Sequence, residues 1–155
     1  MSSTFALLFP GQGSQSQGML SEFLNTEQIV ADTYTEASDV LGYDMVELTR
    51  DNPEEKLNQT EYTQPALLTA STALFRLWEQ RKGARANHAA GHSLGEYSAL
   101  VAAGSLSFPD ALALVAFRGK AMTEAVPRGV GRMAAILGLE DEQAQSLCHE
   151  VSTDI

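Results

Sequence analysis

Gly91-His92-Ser93-Leu94-Gly95 is a G-x-S-x-G pentapeptide set between a short run of small residues, His88–Gly91, and a helical pattern beginning near Leu94. A strand-to-helix turn of this kind is a nucleophile elbow. Its serine sits in a strained backbone conformation, and glycines on both sides let neighbouring backbone pass closely. Ser93 Oγ then stands at a helix N-terminus, where the dipole and free amides favour a developing oxyanion, and the N–H of Leu94 is the natural first donor. The chemistry that fits is nucleophilic attack on an acyl carbonyl.

A second loop, Gly11-Gln12-Gly13-Ser14-Gln15, follows the apolar run Phe5–Phe9. Alone it is no fingerprint, because Gly-rich turns after strands are common. Beside an elbow, a tight strand-end loop is where the second oxyanion donor originates, and the Gln12 N–H is the candidate. Arg118 is the third chemical signal. It shares a helical stripe with Ala111, Val115 and Met122, which places it on the core side. No neighbour one turn away can neutralise it, and an unpaired buried charge would be costly by several kcal/mol. Either a distant Asp or Glu pairs with it, or a substrate carboxylate binds its planar fork.

A serine hydroxyl needs a base to become a good nucleophile. His92 leaves the elbow in a different direction from Ser93, His88 precedes the strand, and His149 reads as a solvated residue of an acidic helix. In elbow folds the acid and histidine follow the serine, and only 62 residues follow Ser93 here. The base is therefore expected to lie outside this chain.

The elements that must hold these loops alternate. Phe5–Phe9 reads as a buried strand, and Thr26–Leu41 as an amphipathic helix with Gly42 as its C′ residue. A helix opened by Pro65 as its first residue carries Leu74, Leu77 and Trp78 inward and stops at Gly83. His88–Gly91 reads as a strand and Leu94–Ala103 as a helix closed by Gly104. Pro109–Ala125 forms another helix, with Ser107 and Asp110 as a capping box. Alternation of this kind predicts an α/β fold with a parallel sheet whose strands are buried. Residues 1–127 form that unit. Residues 128–155, with a strand at Met133–Leu139 and a helix from Glu140 to Val151, start a smaller one that ends without a completing strand. A sheet interrupted in this way leaves a bare edge and apolar face, so self-association is expected.

At 155 residues and 44% hydrophobic, the chain can build one sizeable core, which excludes disorder. No run approaches the roughly 18 apolar residues of a membrane span, and Met1-Ser2-Ser3-Thr4 lacks a secretory n-region. A soluble, cytoplasmic protein is expected. Cys148 is the sole cysteine, and with three scattered histidines it builds no metal site. The net charge of −10 argues against nucleic acid. Charge is uneven: residues 1–61 carry 11 acidic and 2 basic side chains, whereas residues 62–139 carry 4 and 8. That basic middle could meet an anionic ligand or acidic partner; alternatively Arg76, Arg81, Lys82 and Arg85 only decorate a helix end.

Phe9-Pro10-Gly11-Gln12-Gly13-Ser14-Gln15, Thr63-Gln64-Pro65-Ala66, Gly91-His92-Ser93-Leu94-Gly95-Glu96-Tyr97 and Arg118-Gly119, in this order and spacing, resemble the malonyl-CoA:acyl carrier protein transacylase family. The resemblance covers essentially the whole chain. It implies an α/β-hydrolase-like parallel-sheet core with the start of a ferredoxin-like small subdomain. It also implies that Ser93 attacks the thioester of malonyl-CoA, that the amides of Gln12 and Leu94 hold the oxyanion, and that Arg118 binds the malonyl carboxylate. Gly11, Gly13, Gly91, His92 and Gly95 support the two loops. The acyl group then passes to the phosphopantetheine thiol of acyl carrier protein in fatty acid biosynthesis, with no cofactor beyond the CoA thioester. Leu94 in place of a glutamine leans toward malonyl over methylmalonyl. Members of the family are about twice as long, and their second half carries the catalytic histidine. A thioesterase of the same elbow type, or a non-catalytic fragment, is the alternative reading.

Overall fold

The computed structural model describes residues 4–125 and 136–151. Two units divide the chain, Met1–Ala125 and Val126–Ile155. In chain order the first contains β1 (Ala6–Phe9), α1 (Ser21–Thr26), α2 (Gln28–Leu41), α3 (Met45–Asp51), a 3₁₀ segment (Pro53–Asn58), α4 (Thr60–Gln80), β2 (His88–Gly91), α5 (Gly95–Ala102) and α6 (Phe108–Ala125). The described part of the second holds α7 (Asp141–Val151). The strand expected at Met133–Leu139 lies outside the described residues at 133–135, and residues 136–139 are not in a strand.

β1 and β2 pair in parallel, Ala6 opposite His88 through Phe9 opposite Gly91. The chain is thus a mixed α/β fold with a small parallel sheet. Parallel register brings the C-terminal ends of both strands to one edge, so the loop after Phe9 and the elbow after Gly91 emerge side by side.

The strands are less covered than their apolar sequences suggest: Leu8 is 78% exposed and His88, Ala89 and Ala90 are exposed. The reason is that the core is helical. α2, α4 and α6 pack around Val30, Tyr34, Ala37, Leu68, Leu112 and Val115, and Met45, Leu48 and Leu57 close one end. α5 packs on both strands. Leu74 and Trp78, expected inside, are 41% and 45% exposed and instead border an apolar groove of about 390 Å³ beside β1.

α4 differs from its sequence reading at its start. It begins at Thr60, so Pro65 lies inside it and not at its first position. The missing Pro65 N–H removes one bond to the Glu61 carbonyl. Other contacts offset this: the Gln59 carbonyl accepts from Tyr62 N and Thr63 N, both at 2.8 Å, and Thr63 Oγ1 donates to Leu57 O at 2.6 Å. α6 then presses on this first turn at Gly119, where a β-carbon would stand 2.7 Å from Glu61 Cα and 2.9 Å from Thr60 O. The helix expected over Thr26–Leu41 is found as α2 and starts two residues later, because Thr26 ends α1 and Glu27 is extended before Gln28. Its C-terminus agrees with the sequence, since Gly42 adopts φ 76° as a left-handed cap. Ser107 and Asp110 form the expected capping pair, with Asp110 N donating to Ser107 Oγ at 3.2 Å.

The basic middle of the sequence is partly neutralised by this packing. Arg76 Nη1 pairs with Glu36 of α2 at 2.6 Å and its guanidinium lies 4.9 Å from the Phe108 ring centroid. Arg81 pairs with Glu27. Lys82 and Arg85 remain exposed in the turn after α4. Among the described residues no helix is long and apolar enough to cross a membrane.

Candidate active site

Ser93 has φ 53°, the left-handed strain that an elbow requires of a non-glycine residue. The glycines around it are there for close approach. A β-carbon on Gly91 would overlap the backbone of Gly95 and Glu96, and one on Gly95 would overlap the Phe9 carbonyl. β2 therefore turns into α5 with no room for side chains at either position. Ser93 is exposed, while Leu94, the residue capping α5, is 1% exposed and anchors the turn in the core.

The first loop meets this elbow at Gly11, which is buried; a β-carbon there would be 2.7 Å from both Nδ1 and O of His92. His92 N extends the β1–β2 pairing by donating to Phe9 O at 3.2 Å. Within the loop Gly13, at φ 104°, donates from its N–H to Gln15 Oε1 at 2.8 Å, and Ser14 N donates to Gly11 O at 3.4 Å. The Gln12 side chain donates to Thr60 Oγ1 at 3.0 Å, tying the loop to the start of α4. At the elbow, Gly95 N donates to His92 O, Glu96 N to Ser93 O and Tyr97 N to Leu94 O. The amides of Gln12 and Leu94 have no acceptor among the described residues.

Arg118 reaches into this site from α6. Its Nη2 donates to Ser93 Oγ at 3.0 Å and its Nη1 to Gln64 Oε1 at 2.6 Å. The guanidinium carbon lies 5.8 Å from the Tyr97 ring centroid. Among the described residues Arg118 has no carboxylate partner. Met122, placed by periodicity on the buried stripe, is 37% exposed, and its sulfur accepts from Gln64 Nε2 at 3.3 Å. Gln64 is fully buried and orients the arginine, a role that sequence reasoning missed. The available signal was a Gln within the apolar, small-residue face of α4.

Within the first unit neither His88 nor His92 is hydrogen-bonded to Ser93 Oγ. His92 is exposed with its ring against the Gly11 loop, and His88 begins β2, roughly 10–13 Å of extended strand from the elbow. His149 lies exposed on α7 of the second unit. Among the described residues Ser93 Oγ is hydrogen-bonded to Arg118 alone, and no cluster of three or more metal-ligating side chains occurs. Among the described residues, the site thus combines a strained serine at a helix N-terminus, two amides without an acceptor in adjacent loops and a guanidinium without a carboxylate partner. Such a set can bind an acyl group that carries its own carboxylate.

The chain is 55% identical over 148 residues to malonyl CoA-acyl carrier protein transacylase of Escherichia coli K12, covering 96% of this chain and 48% of that protein. It is similar to the crystal structure of an acyl carrier protein S-malonyltransferase from Vibrio cholerae, with TM-score 0.85, 53% identity and coverage of 96% and 48%. It is also similar to a malonyl-transacylase solved with its type II polyketide synthase acyl-carrier protein, with TM-score 0.88, 53% identity and the same coverage. The chain spans about half the length of the relatives it matches. The model of the acyl transferase domain family matches residues 6–154, and the chain belongs to that family.

Proposed function

We propose that this chain carries the nucleophile half of an enzyme that transfers a malonyl group from malonyl-CoA to the phosphopantetheine thiol of acyl carrier protein, as a step of fatty acid biosynthesis. One observation carries the reading. Arg118 holds a guanidinium beside Ser93 Oγ with only neutral partners among the described residues, which leaves its charge to a substrate carboxylate. Ser93 attacks the thioester carbonyl, CoA leaves as its thiol, and a malonyl-serine ester remains. The amides of Gln12 and Leu94 receive the oxyanion of this step. The carrier protein thiol then attacks the ester and regenerates the serine. Nothing in these steps calls for a metal or redox cofactor.

The exposed strand faces support an α/β-hydrolase-like sheet that further strands would complete, with residues after 127 opening a ferredoxin-like subdomain. The histidine base belongs to the part of a relative-length chain that residues 1–155 do not span. The same bare faces favour self-association of the isolated chain, and the enzyme is read as cytoplasmic. A thioesterase is disfavoured because a neutral acyl chain has no use for Arg118. The test is malonyl transfer to holo-acyl carrier protein by this chain alone and with the half of a relative that this chain does not match supplied as a second polypeptide. Transfer is expected only from the pair, and a pair that forms a complex yet transfers no malonyl sinks the reading.

A further inference from the structure

An arginine side chain has N–H donors and no acceptor, so in the 3.0 Å bond between Arg118 and Ser93 the serine oxygen accepts. One of its two lone pairs is thereby directed at the guanidinium. Attack on an acyl carbon uses a lone pair of this same oxygen. In the substrate-free protein the nucleophile is thus partly occupied. The other arm of the fork is fixed independently, since Nη1 donates to the buried Gln64 at 2.6 Å. A pivot about that bond releases Nη2 from Ser93 while Arg118 stays in the site.

We propose that the Arg118–Ser93 hydrogen bond is a latch which a substrate carboxylate opens. This rests on the reading that Arg118 receives that carboxylate. A hydrogen bond between two ionised groups is stronger than one between an ionised group and a neutral hydroxyl. An arriving carboxylate therefore takes Nη2 and frees the Ser93 lone pair as the acyl carbon is brought up. A neutral acyl thioester has no charge with which to displace Nη2 and meets an oxygen with one of its two lone pairs engaged. Selectivity for the carboxylated acyl group then resides in unmasking the nucleophile as well as in affinity. The hydroxyl hydrogen, which cannot point at a guanidinium, is turned away from Arg118.

Competition for Nη2 can be measured without catalysis. If Ser93 Oγ and a carboxylate compete for it, deleting the hydroxyl must tighten carboxylate binding. Formate, titrated against chloride at matched ionic strength, is followed by NMR of isotope-labelled arginine side chains. Ser93→Ala is expected to bind formate about three- to tenfold more tightly than the unaltered chain, the range of one net hydrogen bond. Ser93→Gly, which also relieves the positive φ, is expected to shift the same way and guards against misfolding of the alanine variant. Equal or weaker binding by folded Ser93 variants, or no formate binding to any of the chains, overturns the latch. The substrate reading is judged separately, by the ratio of malonyl to acetyl transfer in the reconstituted enzyme. If Arg118→Ala abolishes that ratio while Ser93→Ala fails to tighten formate, the carboxylate clamp stands and the latch falls. If formate binding tightens but malonyl and acetyl thioesters react alike, Ser93 and a carboxylate compete for Nη2 without gating transfer, and the latch falls together with the malonyl reading.

Discussion

Gly95 in the first turn of α5 lies directly against the carbonyl group at the end of β1, so that a β-carbon there would overlap Phe9 O and stand 2.8 Å from Pro10 O. Both obstructing atoms are backbone and cannot rotate away. Gly95→Ala is therefore expected to push the β1 loop from the elbow, lowering stability by about 1–3 kcal/mol, the range for overpacking. Urea denaturation measures this. A midpoint matching that of the unaltered chain would show that the close approach is not rigid.

Gln64→Leu keeps the volume of a buried side chain but removes the acceptor held by Arg118 Nη1 at 2.6 Å. A hydrogen bond to a charged group contributes roughly 1.5–3 kcal/mol, a factor of about 10–100. The loss is expected in KM for a carboxylated thioester more than in kcat, with transfer of an acetyl thioester little changed. Gln64→Glu, which gives the arginine a permanent counter-charge, should depress malonyl transfer further. If Gln64→Leu lowered malonyl and acetyl transfer equally, Gln64 would be a packing residue only.

Much of the site could be read from the sequence because its requirements are local. A G-x-S-x-G turn forces φ at Ser93 and bars side chains at Gly91 and Gly95, and each requirement is met in the structure. The β2 limits and the left-handed cap at Gly42 follow from equally local chemistry. What escaped depends on partners distant in sequence. Pro65 signalled a helix start, yet packing of Gly119 against Thr60 and Glu61 holds the helix together one turn earlier. β1 has the composition of a buried strand, but burial is a property of neighbours, and among the described residues only β2 pairs with it. Gln64 meets Arg118 across 54 residues, a distance over which no periodicity reports.

Arg76 joins three helices: it pairs with Glu36 at 2.6 Å, donates to Thr33 Oγ1 at 3.1 Å and covers the Phe108 ring. Both charged side chains are partly exposed, so the ion pair alone is worth little, and the cation–π contact adds a similar amount. Arg76→Met, which retains the apolar stem, is expected to lower stability by roughly 1 kcal/mol. Most of that loss should vanish in Arg76→Lys if charge matters, and remain if the planar fork bridging Thr33 and Glu36 matters. The geometry favours the second outcome, and urea denaturation of the two variants decides between them.

Tyr34 is fully buried in the helical core, and burial pushes its hydroxyl from the ordinary 10.0 up to about 12, the Thr49 hydroxyl beside it opposing this only in part. The sign of the linkage follows. Below about pH 10 the hydroxyl is protonated in both folded and unfolded chains, and the full stability is present. Between about pH 10 and 12 the unfolded chain releases the proton while the folded chain keeps it, so rising pH favours unfolding. Over that window Tyr34 is expected to account for a loss of about 2–3 kcal/mol. Tyr43, also raised by burial and by the nearby Tyr62 and Glu61, steepens the fall at higher pH. Tyr34→Phe should flatten the first part of the curve and leave the Tyr43 part in place. Urea denaturation at a series of alkaline pH values tests this, and parallel curves for Tyr34→Phe and the unaltered chain would mean that Tyr34 reaches solvent before the protein unfolds.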